Sequence, residues 1–356
     1  MRLLLFNFCQ RFLRLFHANT TTERIIFVSL SQHEQTSSAM AKSIRLILFV
    51  LMLTLAGTVV PASGKSKNRL KVALVLGGGG AKGAAEVGVL KEIERIGVPI
   101  DYIVGTSIGS IVGGLYAAGY RAEELDSLFT HQDWLDLFND RKAKKGEKEK
   151  AIKGFGLMRG VGVMQFLDSL LTAKNHYQGL GAYPDSIDFD SLPIPFRAVA
   201  CDVNTGQSAV LAKGNLALAM RASMAIPGVF KPVRADSMLM LDGGLVNNLP
   251  VDVARAMGAD LVIAIDLTQN KHPDFVPKKI RKFMGKGLKW LRQRPDFVNY
   301  NRNRKDADLC INPKLKGYGV TSFKTADIRA MIELGHKAGK DHHGRLRVIK
   351  KKALDK

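Results

Sequence analysis

Lys and Arg number 53 against 32 Asp and Glu in 356 residues, a formal charge of +21, with 46% of residues hydrophobic and 24% charged. That balance excludes a disordered or fibrous chain and suits one globular domain with appendages. The charge favours an anionic partner, nucleic acid or membrane surface, while Cys9, Cys201 and Cys310 lack CxxC spacing and a His cluster, so neither a zinc site nor a disulfide framework is expected.

Residues 1–39 mix apolar runs, Arg and a polar tract without sustained periodicity and read as a non-native upstream extension. Residues 40–63 begin at Met40, place Lys42 and Arg45 ahead of an apolar run, and end in small residues around Val60-Pro61-Ala62. This is the three-part pattern of a secretory signal peptide, so an exported, periplasmic or membrane-associated protein is expected. Retention of residues 44–60 as an anchor is the alternative, although the run is short against the ~20 residues of a full span.

Residues 71–76, Lys-Val-Ala-Leu-Val-Leu, form an apolar run that stops at Gly77-Gly-Gly-Gly-Ala-Lys-Gly83, and residues 84–96 follow with helical spacing of Val87, Leu90 and Ile93. The reading is buried strand, glycine loop, amphipathic helix. Gly78, Gly80 and Gly83 also fit a dinucleotide fingerprint, but that unit needs an acidic residue closing the second strand. Here Tyr102-Ile-Val104 runs instead into Gly105-Thr106-Ser107-Ile108-Gly109, with a helix expected over 110–119.

GxSxG between strand and helix is the spacing of a nucleophile elbow, in which Gly105 and Gly109 remove side chains that would clash around a strained Ser107. A serine attacking a carbonyl needs donors for the resulting oxyanion, and backbone N–H groups of Gly78, Gly79 and Gly80 can converge to provide them. It also needs a base. His131, His176, His272, His336, His342 and His343 lie mostly in basic or polar stretches, whereas residues 237–241 form an apolar strand that breaks at Asp242-Gly243-Gly244. Asp242 is therefore the best candidate.

These glycine, GTSIG and Asp-Gly-Gly motifs, in this order, resemble the patatin-like phospholipases. Residues 197–206, 221–227 and 260–266 extend the likeness over roughly 68–270. The resemblance implies an α/β three-layer sandwich with a mostly parallel central sheet. It also implies a Ser107–Asp242 dyad without a histidine, and two-step hydrolysis of phospholipid or lysophospholipid acyl esters with no metal or organic cofactor. An anionic membrane surface is the expected partner, and nucleic acid is not. A catalytically weak binding or regulatory protein of the same fold is the alternative, and a nucleotide-binding oxidoreductase is disfavoured by GTSIG.

Lys82 stands where the family has a basic residue, to hold a phosphate oxygen or to orient the loop, while Asp202 and Ser223 are assigned to structure. The charge run 141–150 reads as a solvated loop, and the apolar stretch 154–171 after it as an acyl-chain groove or lid. Residues 271–356 read as a basic extension. Within it, residues 278–294 are an amphipathic helix for anionic lipid or for the core, and a frayed tail is expected after Lys340.

Overall fold

A computed structural model describes residues 69–138, 158–177, 183–235, 237–268 and 295–355. The segments 1–63, 141–150 and 278–294 lie outside the described residues, as does the start of the 154–171 stretch.

The architecture follows from strands that are apolar on both faces. β1 (Val72–Leu76) is buried at all five positions, the mark of a parallel strand covered on both sides. β2 (Tyr102–Thr106), β4 (Phe196–Asp202), β9 (Leu261–Ile265) and β10 (Leu309–Ile311) join it in the parallel order β10-β9-β1-β2-β4. β5 (Gln207–Leu211) and β8 (Met238–Asp242) both pair antiparallel with β4, and β7 (Val233–Ala235) continues antiparallel from β8. β3 (Ile187–Asp188) and β6 (Lys213–Gly214) form a separate short pair. The central sheet is thus mixed but mostly parallel.

Alternation along β1 sorts the two outer layers. Leu74 and Leu76 enter the core shared with α1 (Ala84–Ile96), α2 (Ile108–Ala117) and α3 (Ala122–His131). α4 (Trp134–Phe138), α5 (Val161–Tyr177) and α6 (Leu216–Ser223) add to that core. Ala73 and Val75 face the opposite way, onto α7 (Val251–Ala256) and Tyr300 of α8 (Pro295–Asp306). Helix layers on both faces make the three-layer α/β sandwich. The helix expected over 110–119 starts earlier, because Ser107 itself occupies its N-cap position.

The C-terminal segment is corrected most. α9 (Thr325–Asp341) crosses α1 so closely that a Cβ on Gly335 would stand 1.9 Å from the Ala85 carbonyl oxygen. Beyond Lys340 there is no frayed tail but α10 (His343–Leu354), which buries Leu346, Ile349 and Ala353. Its Lys350 Nζ donates to the Ile96 carbonyl at 2.7 Å, and His343 Nδ1 lies 2.9 Å from Glu92. With β10 paired to β9, residues 295–355 belong to the same compact unit as the motifs before them.

Candidate active site

β2 ends at Thr106, and the chain must turn at once into α2. The turn is made at Ser107, with φ 56°, the one non-glycine residue at positive φ among those described. An L-residue held there is strained, and such strain persists where packing over-determines it. The packing is visible: a Cβ on Gly105 would lie 2.3 Å from the Gly109 carbonyl oxygen, and one on Gly109 would lie 2.4 Å from that of Leu76. Ser223 Oγ accepts the Ser107 N–H at 2.8 Å and donates to the Val199 carbonyl at 2.6 Å, pinning the turn to β4. The structural assignment of Ser223 therefore bears directly on the serine.

Strand register brings in the carboxylate. Thr106 pairs with Val199 and Ala200 with Asp242, so the ends of β2 and β8 reach the same level on either side of β4. Ser107 Oγ donates to Asp242 Oδ2 at 2.6 Å, with the two residues only 4% and 7% exposed. Gly244 N–H donates to the other oxygen, Asp242 Oδ1, at 2.8 Å. A Cβ on Gly243 would lie 2.1 Å from the Val199 carbonyl oxygen, which is the close approach the Asp-Gly-Gly sequence permits. Burial pushes the Asp242 carboxyl up to about 6, opposed by the hydrogen bonds from Ser107 and Gly244. A carboxyl that titrates near neutrality, bonded to a hydroxyl, is the outcome.

The glycine loop needs one revision. A Cβ on Gly78 would come within 3.1 Å of Ser107 Cβ, so the loop does border the serine. The Gly78 N–H, however, is spent on the Asn248 carbonyl at 3.2 Å, so Gly78 is not one of the free donors expected of it. The N–H groups of Gly79 and Gly80 have no backbone acceptor among the described residues, and Gly80 takes φ 57° to turn the chain. Gly83 packs against Ile108, where a Cβ would lie 2.3 Å from Ile108 Cγ1. Lys82 is partly buried, which lowers its ammonium from the ordinary value. Asp202 accepts from Asn204 N–H at 3.1 Å and Thr205 Oγ1 at 3.0 Å, closing the β4–β5 hairpin.

Sequence reasoning missed Asn248. It binds Gly78 twice, accepting its N–H through the main chain and donating from Nδ2 to its carbonyl at 3.2 Å. It thereby clamps the glycine loop against the Asp242-Gly-Gly turn, where a Cβ on Gly244 would lie 2.7 Å from Asn248 Oδ1. Neighbouring Asn247 accepts Thr106 Oγ1 at 2.9 Å through its carbonyl and donates to Asp252 at 2.8 Å. Their only sequence signal is an Asn pair five residues past the aspartate.

Three histidines are engaged away from the serine, His131 with the Ser127 carbonyl, His342 with that of Ala338 and His343 with Glu92. Burial raises the Cys201 thiol to about 12, reinforced by Asp202 and Asp242, so it stays protonated. Among the described residues no three His, Cys, Asp or Glu side chains gather as a metal site.

A strained serine at a strand-to-helix turn, bonded to a buried carboxylate beside a glycine loop, defines a serine-carboxylate site on a three-layer α/β fold. A match to the patatin-like phospholipase family covers residues 74–255, just over half of the chain, and the protein belongs to that family. Mouse patatin-like phospholipase domain-containing protein 6 is 34% identical over 206 residues, which are 57% of this chain and 14% of that protein. An uncharacterized NTE family protein of Mycobacterium bovis is 36% identical over 197 residues, 55% of this chain and 49% of its own. The chain thus spans half or less of the length of these relatives. VipD from Legionella pneumophila shares the fold with a TM-score of 0.53 at 14% identity, over 78% of this chain and 67% of that one.

Proposed function

We propose that the protein is a serine acyl-ester hydrolase that releases fatty acids from phospholipids or lysophospholipids. The observation that carries this reading is the 2.6 Å hydrogen bond from Ser107 Oγ to Asp242, made by a serine at φ 56°. As Ser107 Oγ attacks the ester carbonyl carbon, Asp242 accepts the hydroxyl proton, and the oxyanion gathers at the Gly79 and Gly80 N–H groups. Collapse breaks the ester bond, and the departing alcohol takes the proton from Asp242. Water then loses a proton to Asp242 and attacks the acyl-serine, releasing the fatty acid and restoring Ser107 Oγ–H. Lys82 supplies positive charge beside the loop for a phosphate-bearing substrate.

The test is fatty acid release from mixed phospholipids and p-nitrophenyl esters by wild type, Ser107→Ala and Asp242→Asn. Both variants are expected to lose at least about a thousandfold in kcat with the fold intact. Full activity in Ser107→Ala sinks the mechanism, and a folded but inactive wild type favours a binding protein of this fold.

Residues 40–63 are proposed to direct export. Sequencing the N-terminus of the mature chain checks it, with a first residue just after Ala62 expected.

A further inference from the structure

Large apolar side chains left in solvent are few among the described residues, and three of them border one cluster. Leu135 is 58% exposed, Val229 37% and Val320 51%. Each lies within three residues in sequence of a ring in an aromatic group built from separate parts of the chain. Trp134 and Phe323 have centroids 6.2 Å apart, Phe138 and Phe323 4.9 Å, and Phe138 and Phe230 5.7 Å. Leu135 follows Trp134, Val229 precedes Phe230, and Val320 lies in the loop that ends at Phe323.

This rim abuts the glycine loop. Val320 accepts the Ala81 N–H at 3.0 Å, and a Cβ on Gly80 would stand 2.3 Å from the Val320 carbonyl oxygen and 3.0 Å from Val320 Cβ. The loop bearing Val320 is anchored, since Leu315 is fully buried, Asn312 Nδ2 donates to the Thr268 carbonyl at 3.1 Å, and Phe323 sits in the cluster. An apolar side chain held exposed on a fixed loop loses free energy in water unless something covers it. Cations adjoin it in sequence, Lys316 and Lys324 around the loop and Arg159 and Lys231 beside Phe230 and its bridge partner Met158, against Asp133 and Asp136 near Leu135.

We propose that Leu135, Val229 and Val320 form the face by which the protein docks on a phospholipid surface, seating the glycine loop at the lipid boundary. Only the choice of lipid as occupant rests on the hydrolase reading. Apolar tips with four cations against two acids nearby in sequence match an anionic bilayer, where the tips enter the acyl boundary and the cations meet the headgroups. None of the three lies in the glycine, GTSIG or Asp-Gly-Gly motifs, and Val320 stands past residue 255, where the family match ends.

α10 offers an internal control. It also exposes apolar residues, Val348 at 53% and Leu354 at 52%, among cations. Yet it packs at Ile96, the far end of a helix about 20 Å long that starts at the glycine loop.

The experiment sediments the Ser107→Ala protein, which leaves the lipid intact, with vesicles of phosphatidylcholine and phosphatidylglycerol. Val229→Asp/Val320→Asp is expected to weaken binding at least about tenfold, and Leu135→Asp alone severalfold. Val348→Asp/Leu354→Asp is expected to change it less than about twofold. Unchanged binding in the rim variants, equal loss in the α10 variant, or no binding by Ser107→Ala overturns the proposal. Fatty acid release by wild type, measured separately, tells failure of docking from failure of the hydrolase reading.

Discussion

Burial raises the Asp242 carboxyl to about 6. In the proposed mechanism it must be ionised to take the Ser107 proton, so kcat/KM is expected to fall on acidification with a midpoint near pH 6. A profile flat down to pH 4.5 would remove Asp242 as the base. The same shift bears on stability with a fixed sign. The folded state holds a proton that an unfolded Asp, at its ordinary 3.8, releases, so Asp242 favours folding fully below about pH 4 and loses that contribution as pH rises through 6. Asp242→Asn, which carries no charge to bury, is expected to raise the unfolding midpoint at pH 7 and to lose that advantage at pH 4. Glu86 adds to the effect: it is fully buried, its neighbouring Gly77 N–H is committed to the Ile265 carbonyl at 3.1 Å, and burial raises its carboxyl well above the ordinary range. Asn248 makes a different prediction. Because its side chain holds Gly78 in place and touches no reacting atom, Asn248→Ala is expected to lower kcat about ten- to a hundredfold while changing KM little. A rise in KM at constant kcat would instead place Asn248 in substrate binding. Ser107 and Asp242 were legible because glycines and strand ends surround them in sequence, whereas Asn248 meets Gly78 from 170 residues away and carries no local pattern.

At the scale of elements, β1, the glycine loop, α1 and β2 could be read in order because glycines punctuate them: Gly77 stops β1, Gly83 and Gly97 bracket α1, and β2 runs into the GTSIG turn. The crossing of α1 and α9 could not, since it depends on two backbones touching where side chains are absent. A side chain at Gly335 must displace the Ala85 carbonyl, which a Cβ would approach to 1.9 Å, and one at Gly88 meets the Ile332 carbonyl at 2.0 Å. Gly335→Leu is therefore expected to separate the helices and lower stability by about 3 kcal/mol or more, read by urea denaturation. Gly344 sits in the first turn of α10, where a Cβ would meet nothing within 4 Å. Gly344→Ala is expected to stabilise by about 0.5–1 kcal/mol, through lost freedom in the unfolded chain. Equal effects at the two glycines would contradict the close crossing.

Across the whole molecule, the residues after 270 decide where the domain ends. Their basic composition concealed a role in the core, because Leu346, Ile349 and Ala353 are a narrow apolar stripe among Arg345, Arg347, Lys350, Lys351 and Lys352. Three buried positions at helical spacing suffice to dock α10 once α1 and α9 provide the surface. The parts of this segment differ in what they support. β10 closes one edge of the sheet on β9, α9 covers α1, and the Val320 loop braces the glycine loop, whereas α10 packs at the end of α1 remote from Ser107. A chain ending at 342 is therefore expected to fold with a lowered melting temperature and to keep the proposed ester hydrolysis at 25 °C within about threefold, since nothing removed borders the serine. A chain ending at 306 exposes β9 and the α1 face together and is expected to give no cooperative melt by circular dichroism. Cooperative unfolding and hydrolysis in that shorter chain would mean that the catalytic fold closes on itself before β10.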